Sequence, residues 1–173
     1  MLINLYTAQI IIILAAAGAV IAALPEGRRR PMRTWQLVLT PVLAGLSAFV
    51  TVIYPSLKEL DQPEMWELAV ICAVVGLLRG QTMPLEVDQI WNVLRLHRWR
   101  EGMWAAIALL LVAIVGAAEA ILVGPTRGPE NPGFRLLFEI GMTSAAGFLI
   151  GRAATLWFRI PHVPHHELVE PDA

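Results

Sequence analysis

The sequence has little charge and almost no cysteine. Only 16% of its 173 residues are charged, while 57% are hydrophobic, whereas soluble domains carry roughly 25% charged residues. A chain with this balance cannot cover a globule with polar surface, so it is predicted to be an integral membrane protein. Cys72, which lies inside an apolar run, is the single cysteine. Because a disulfide or a thiol-pair redox relay needs two cysteines, the chain can form neither by itself.

The sequence also lacks the common functional motifs. It has no phosphate-binding P-loop, dinucleotide fingerprint, nucleophile elbow or metalloprotease helix. No predicted span holds a histidine, which disfavours an intramembrane bis-histidine haem, and His162, His165 and His166 have no nearby cysteine or aspartate at metal-site spacing. We therefore predict no catalytic residue, no cofactor and no metal. We also predict that the basic residues set the membrane topology and do not bind nucleic acid.

What the sequence contains is five apolar stretches, each near the roughly 20 residues that cross a bilayer as a helix. They run over about Leu5–Leu24, Trp35–Tyr54, Met65–Leu78, Met103–Val123 and Phe134–Phe158. The third is short, but it reaches full length over 64–82 if Glu67 and Arg79 extend to the interfaces. The predicted fold is an all-α bundle of five transmembrane helices within residues 1–160, followed by a short cytoplasmic tail at 161–173.

Basic residues are divided unequally between the predicted connections. Ten of the 13 fall on one side, namely Arg28, Arg29, Arg30, Arg33, Arg79, Arg95, Arg98, Arg100, Arg152 and Arg159. The other side has Lys58, Arg127 and Arg135. The positive-inside rule places the larger group in the cytoplasm, with the N-terminus outside and the C-terminus inside, as an odd number of spans requires. High Ala, Leu, Arg and Pro indicate a GC-rich bacterial genome, so the predicted location is the bacterial inner membrane.

Two features at the ends of the spans agree with this topology. All six tryptophans lie at or near predicted span ends, where an indole ring favours the membrane interface. The first span has no preceding basic residue and is longer than the apolar segment of a signal peptide, so we predict that it is retained as a helix.

The polar connection after the third span has two interpretations. Apolar and polar residues alternate over 85–88 and 94–97, which predicts a β-hairpin with a turn near Gln89–Asn92. Alternatively, Ile90, Val93, Leu94 and His97 share one face of a basic interfacial helix. The alternation and Pro84 slightly favour the hairpin. Either segment is expected at the cytoplasmic surface.

Two glycine pairs indicate close helix packing. Gly76/Gly80 and Gly147/Gly151 end the third and fifth spans, each with an adjoining Arg and a following Thr. Small residues four apart let two backbones approach, which favours packing within one bundle, with a homodimer face as the alternative. The similarity also suggests a weak internal repeat in which spans two–three and four–five are parallel copies of one hairpin, as in some transporters.

Ionisable residues within the spans are the candidates for a binding site. Glu67, Glu119 and Glu139 lie near the outer ends of three spans. They either surround one outer-leaflet cavity that holds a proton or a cation, or each reaches the interface separately, with Glu139 pairing with Arg135. On the cytoplasmic side, lipid phosphates or another anion are the predicted contacts of Arg79, Arg95, Arg98 and Arg152.

The segment GLLRGQTMPLEVDQIWNVLRLHR, residues 76–98, resembles a cytoplasmic connection in small bacterial membrane proteins of the CcdC-like group. In that group a helix ends in Gly and Arg, and an alternating segment with an Asp, a turn and a basic strand follow. GFLIGRAATLWFR, residues 147–159, is similar to the group's closing helix. The resemblance implies a helical membrane protein whose namesake is associated with cytochrome c biogenesis, but it brings no firm activity and no catalytic residues. The lone Cys72 removes a thiol-exchange role for this chain by itself.

The short predicted loops leave little room for a soluble active site. We therefore predict a non-enzymatic integral membrane protein that packs with itself or serves as an accessory or assembly subunit of a larger membrane complex. The alternative is a small proton- or cation-coupled transporter that uses the outer-leaflet carboxylates. A membrane enzyme acting on lipid is a third hypothesis, for which Glu86, Asp88 and His97 are the available acid–base groups.

Overall fold

A computed structural model describes residues 5–28, 31–53, 63–96, 100–123, 132–165 and 168. Within these ranges lie the helices α1 (Leu5–Gly27), α2 (Thr34–Ile53), α3 (Pro63–Thr82), α4 (Glu101–Val123) and α5 (Pro132–Arg159). Three short strands accompany them, β1 (Met32–Arg33), β2 (Leu85–Asp88) and β3 (Val93–Leu96). A single 3-10 turn, Ile160–His162, follows α5.

The helices confirm a multi-pass membrane class but not the predicted number of spans. Four segments in the described ranges are long and apolar enough to cross a bilayer: Thr7–Gly27, Thr34–Val52, Glu101–Glu119 and Leu136–His162. The fifth helix, α3, is not among them, so the prediction of five spans is not confirmed. The all-α description is also incomplete, because the chain adds a small sheet.

The core of the bundle consists of α1, α2, α4 and α5, and α3 packs from outside on α5. Alanines dominate the centre, with Ala16, Ala19, Ala44, Ala106 and Ala113 all fully buried. Small side chains let helix backbones approach closely, and dispersion then holds the helices together in a solvent that offers no hydrophobic drive. Ile12, Leu109, Met142 and Leu149 fill the space between them. Other large apolar side chains point outward, as on α3, where Val70 and Leu78 are exposed.

The hairpin alternative for the polar connection is confirmed. Strands β2 and β3 pair in antiparallel register, from Leu85 opposite Leu96 to Asp88 opposite Val93. Asn92, with a φ of 52°, supplies the left-handed residue of the turn. The segment is therefore not an interfacial helix.

The hairpin joins a three-stranded sheet at one end of the bundle. Strand β1 adds to β3, which gives the order β1-β3-β2. Leu94 and Leu96 of β3 belong to a second apolar cluster. The cluster also contains Leu37 of α2, Leu156 of α5, and Met83, which directly follows α3. We call this end, where α1, α3 and α5 finish and α2 and α4 begin, the sheet end.

Helix α1 continues further than the sequence indicates. The sequence predicts a first span that ends at about Leu24, with a turn from Pro25 onward, yet the helix includes Pro25 and ends at Gly27. The amide of Arg28 still donates to the carbonyl of Leu24. Contacts of Glu26 with other helices, described below, hold this last turn in helical form.

Candidate functional site

Two helices meet through their glycines, and this contact sets the position of the charged residues at the sheet end. α3 and α5 run parallel, and Gly76 and Gly80 of α3 face α5, while Gly147 and Gly151 of α5 face α3. A Cβ at Gly76 would lie 2.9 Å from the amide nitrogen of Arg152, and one at Gly80 would lie 2.9 Å from its carbonyl oxygen. At this separation only glycine fits, because the neighbouring atoms belong to backbone.

The glycine contact fixes the register of α3 on α5. Gly147 lies against Ala69 and Gly151 against Ala73, whereas Gly76 faces the turn between Phe148 and Arg152. The two pairs are thus staggered along the interface instead of standing opposite each other. The two predicted hairpins also pack differently, because α4 contacts α5 extensively and α2 makes no comparable contact with α3 within the described residues.

A buried ion pair joins α1 to α5 at the sheet end. The Nη2 atom of Arg152 lies 2.7 Å from Oε1 of Glu26, and each side chain is only 4% exposed. The same carboxylate oxygen accepts a hydrogen bond of 3.1 Å from the backbone N–H of Gly102. Glu26 therefore ties the last turn of α1 both to α5 and to the first turn of α4.

The start of α4 is well suited to hold this carboxylate. The first amides of a helix have no intrahelical acceptor, and the helix dipole is positive there, so a carboxylate is stabilised. Gly102 also gives the pair its space. A Cβ at this position would lie 2.5 Å from Oε2 of Glu26 and even closer to the guanidinium of Arg152.

A small cavity adjoins the ion pair between α1, α2 and α5. Its volume is about 10 Å³, which is close to the minimum for one water molecule. Gln36 and Thr40 of α2 supply polar lining beside Glu26 and Arg152. The cavity has room for one water molecule and no room for a substrate. We therefore interpret the Glu26–Arg152 pair as a structural contact between helices.

A second ion pair joins α3 to α4 closer to solvent. Arg79 makes a two-pronged contact with Glu101, with 2.8 Å from Nε to Oε2 and 2.6 Å from Nη2 to Oε1. The side chains are 34% and 28% exposed. Water screens an ion pair at this exposure. Breaking the Arg79–Glu101 pair should therefore cost less stability than breaking the buried Glu26–Arg152 pair.

Helix α5 also closes the end of α3. Nη1 of Arg159 donates to the carbonyl of Gly80 at 2.6 Å and to that of Met83 at 2.8 Å. The hydroxyl of Thr155 donates to the carbonyl of Leu77 at 3.0 Å. The carbonyl of Gly80 belongs to the last turn of α3 and that of Met83 follows it, and neither has an intrahelical donor.

The segment after α5 is fastened to the hairpin through Asp88. This side chain is 1% exposed. Its Oδ1 accepts hydrogen bonds from the amides of Ile90 and Trp91, both at 3.1 Å, and its Oδ2 accepts one of 3.2 Å from the amide of Leu168. His165 lies 3.9 Å away and makes a parallel bridge with Val87.

The pKa of Asp88 reflects these contacts. Burial disfavours the charged carboxylate, but the amide hydrogen bonds from Trp91, Leu168 and Ile90, with the nearby His165, lower its pKa below the usual value of an aspartate. Because the pKa is lower in the folded protein than in the unfolded chain, the stabilisation is complete above about pH 4. It is lost as the pH falls through the lower, folded value.

We expect Asp88→Ala to release the segment that follows α5. The amides of Trp91 and Leu168 lose their acceptor, so they should lose protection against hydrogen exchange at neutral pH. The wild type should show the same loss at Leu168 only when the pH falls below about 4. Glu86→Gln, on the same strand, is the control and should leave both amides protected. Unchanged protection in Asp88→Ala would contradict the assigned contacts.

The predicted outer-leaflet acids are not gathered into a metal site in the described residues. Glu67, Glu119 and Glu139 all lie in described parts of the chain, and no three His, Cys, Asp or Glu side chains in those parts are grouped to hold a metal ion. Glu67 is exposed, and the other two are partly buried. The side chain of Arg135, the predicted partner of Glu139, lies outside the described residues. The transporter alternative, which also allows a proton at these acids, stays a prediction.

The predicted lipid-contacting arginines have different surroundings. Arg152 faces Glu26 inside the protein and is 4% exposed, so it does not meet lipid. Arg79 is engaged by Glu101. Arg95 is partly exposed on β3, with its Nε atom buried and unpaired. Arg98 lies outside the described residues, as do His97 and His166.

Glu26, Glu101 and Gly102 are the residues that the sequence analysis missed. The sequence prediction places Glu26 in the turn that follows the first span. A usable signal existed, since an acid among many arginines on one side of the membrane is a natural ion-pair partner. Which arginine it meets depends on helix packing, which the sequence does not reveal.

Comparison with family models, with curated proteins and with solved structures gives no match to this chain. The resemblance to the CcdC-like group therefore stays a prediction.

Proposed function

We propose that this protein is a five-span integral membrane protein of non-enzymatic role, which packs with itself or acts as an accessory or assembly subunit of a larger membrane complex. The observation that supports the proposal is that the charged residues named next, all at the sheet end, are engaged in contacts within the protein. Glu26, Arg79, Glu101, Arg152 and Arg159 all bind one another or backbone carbonyls, and so they connect helix ends. Groups engaged in this way fix a scaffold and are not free for acid–base chemistry.

The proposal that α3 is a fifth span is supported by its outer surface. Val70, Ile71, Val74, Val75 and Leu78 are all between 47% and 61% exposed, and they lie in the 11-residue stretch between Glu67 and Arg79. Such a surface would be costly in water and suits lipid chains. Glu67 and Arg79 stand at the two ends, where long polar side chains reach the interfaces.

The orientation rests on the position of the arginines. Arg28, Arg33, Arg79, Arg95 and Arg152 all belong to the sheet end, where α1, α3 and α5 finish. A surplus of arginine favours the cytoplasmic side, so the sheet end is proposed to face the cytoplasm. Exposed tryptophans agree with this placement, since Trp35 and Trp104 stand at the starts of α2 and α4 and are 53% and 61% exposed.

Particle mass and composition test the proposed role. The protein should be purified from its native membrane in mild detergent, and light scattering should give the mass of the protein part of the particle. We expect a mass above that of one 19.0 kDa chain, from further copies or from a partner at fixed ratio. A monomer without a partner, also after extraction into lipid nanodiscs, would contradict the proposal.

A further inference from the structure

A pocket of about 460 Å³ opens between the end of α1 and the start of α2, on the outer surface of the sheet end. Its lining divides into a basic and polar part and an apolar part. The residues that matter here are Ile21, Leu24, Arg28, Arg33, Trp35 and Gln36. We call this feature the Arg28–Arg33 pocket. None of its lining residues belongs to the Glu26–Arg152 or Arg79–Glu101 pairs.

We propose that the Arg28–Arg33 pocket binds an anionic glycerophospholipid, with the two guanidinium groups on its phosphodiester. The two arginines favour a phosphate as the ligand, because each guanidinium is positively charged and presents a planar set of donors that matches phosphate oxygens. Both side chains are exposed. Among the residues that the structure describes, neither guanidinium makes an ion pair or a hydrogen bond.

The backbone around the two arginines is already fixed. The amide of Arg33 donates to Oε1 of Gln36 at 3.0 Å, and the amide of Thr34 donates to the carbonyl of Asn92 at 3.1 Å. The amide of Arg28 donates to the carbonyl of Leu24 at 3.1 Å. The amides of Arg28 and Arg33 are thus held before binding, which lowers the entropic cost of placing these two side chains on a ligand.

The remaining walls distinguish a lipid from a free phosphate. Ile21 is 66% exposed and Leu24 36%, and both lie one to two turns before Arg28, on the membrane side of the pocket. Trp35 is 53% exposed beside them, and indoles favour the level of the headgroups. An acyl chain would cover Ile21 and Leu24 while its phosphate reaches the arginines. A free phosphate would use only the polar half of the pocket.

The test measures lipid binding to the intact chain by native mass spectrometry from nanodiscs that contain phosphatidylglycerol and phosphatidylcholine. We expect the wild type to retain phosphatidylglycerol preferentially. Arg28→Gln and Arg33→Gln should each weaken its retention about tenfold, because each removes a hydrogen bond between charged groups. The double variant Arg28→Gln/Arg33→Gln should retain the least. Arg28→Lys/Arg33→Lys, which keeps the charge but loses the planar donors, should fall between it and the wild type.

A matched control separates the pocket from general surface charge. Arg100 is exposed and precedes α4 at the same end of the bundle, but it does not line the pocket, so Arg100→Gln should leave retention unchanged. An equal loss in Arg100→Gln would overturn the proposal in favour of a diffuse charge effect. Millimolar glycerol 3-phosphate should not displace the lipid. Binding of glycerol 3-phosphate without retention of phosphatidylglycerol would overturn it in favour of a soluble phosphate ligand.

Discussion

Replacing Arg152 with leucine, while Glu26 stays, is expected to destabilise the protein by about 3–5 kcal/mol, because it leaves a buried carboxylate without its cation. Glu26 is 4% exposed, so bulk water cannot replace the lost partner. The amide of Gly102 is the remaining donor, and one neutral hydrogen bond offsets only part of the cost. Unfolding in detergent, followed by circular dichroism under increasing denaturant, measures the loss.

Two further variants make this result specific to the pair. In Glu26→Leu/Arg152→Leu no unpaired charge remains, so the double variant should be more stable than Arg152→Leu alone. Arg79→Leu is the matched control, because its partner Glu101 is 28% exposed and can be hydrated, and it should cost at most about 1 kcal/mol. An equal loss of stability in Arg79→Leu and Arg152→Leu would contradict the claim that burial makes the Glu26–Arg152 pair the more costly one to break.

Gly151→Ala is expected to cost about 1–3 kcal/mol, although alanine is normally the better helix former. A Cβ at Gly151 would press on the carbonyl of Ala73, and its distance to the Ala73 carbonyl carbon would be 2.8 Å. Backbone atoms of a packed helix cannot rotate away as a side chain can, so α3 must move off α5. The thermal midpoint in detergent should fall accordingly.

Gly45→Ala provides the matched comparison for this prediction. It is also a glycine-to-alanine change within a long helix, but its new Cβ would meet only Cδ1 of Ile150 at 3.7 Å, an ordinary contact. We expect it to be neutral or to stabilise the protein by up to about 1 kcal/mol. Equal destabilisation by Gly45→Ala and Gly151→Ala would mean that close approach of α3 and α5 is not what Gly151 provides.

The sequence predicted most of the secondary structure because membrane helices have a strong signal. Apolar runs of about 20 residues led to helix ranges close to those found, and the alternation before Gln89 led to the hairpin. The end of α1 was wrong because Pro25 usually stops a helix, whereas contacts of Glu26 with α4 and α5 keep this turn helical. Tertiary contacts of this kind leave no mark in a local pattern.

The candidate site was harder to predict, for a related reason. The sequence identified Arg79 and Arg152 as charges at a membrane face, and predicted contacts of both with lipid phosphates or another anion. Their partners, Glu101 and Glu26, lie 22 and 126 residues away along the chain. Arg79 of α3 meets Glu101 of α4, and Arg152 of α5 meets Glu26 of α1, so each pair forms only when the helices of the bundle pack together. Snorkelling to lipid is the usual fate of an arginine at a span end, and the buried position of Arg152 depends on the small residues around it.

The central claim is that α3 crosses the membrane and that the sheet end faces the cytoplasm. In a chain whose only cysteine is removed by Cys72→Ala, single cysteines at Ile90 and at Lys58 should be labelled with a membrane-impermeant maleimide. Ile90 is 71% exposed in the hairpin turn, and Lys58 lies in the connection between α2 and α3. We predict that Ile90→Cys reacts only in inside-out vesicles and Lys58→Cys only in right-side-out vesicles. Labelling of both from the same side would contradict the account, because α3 would then not cross the membrane.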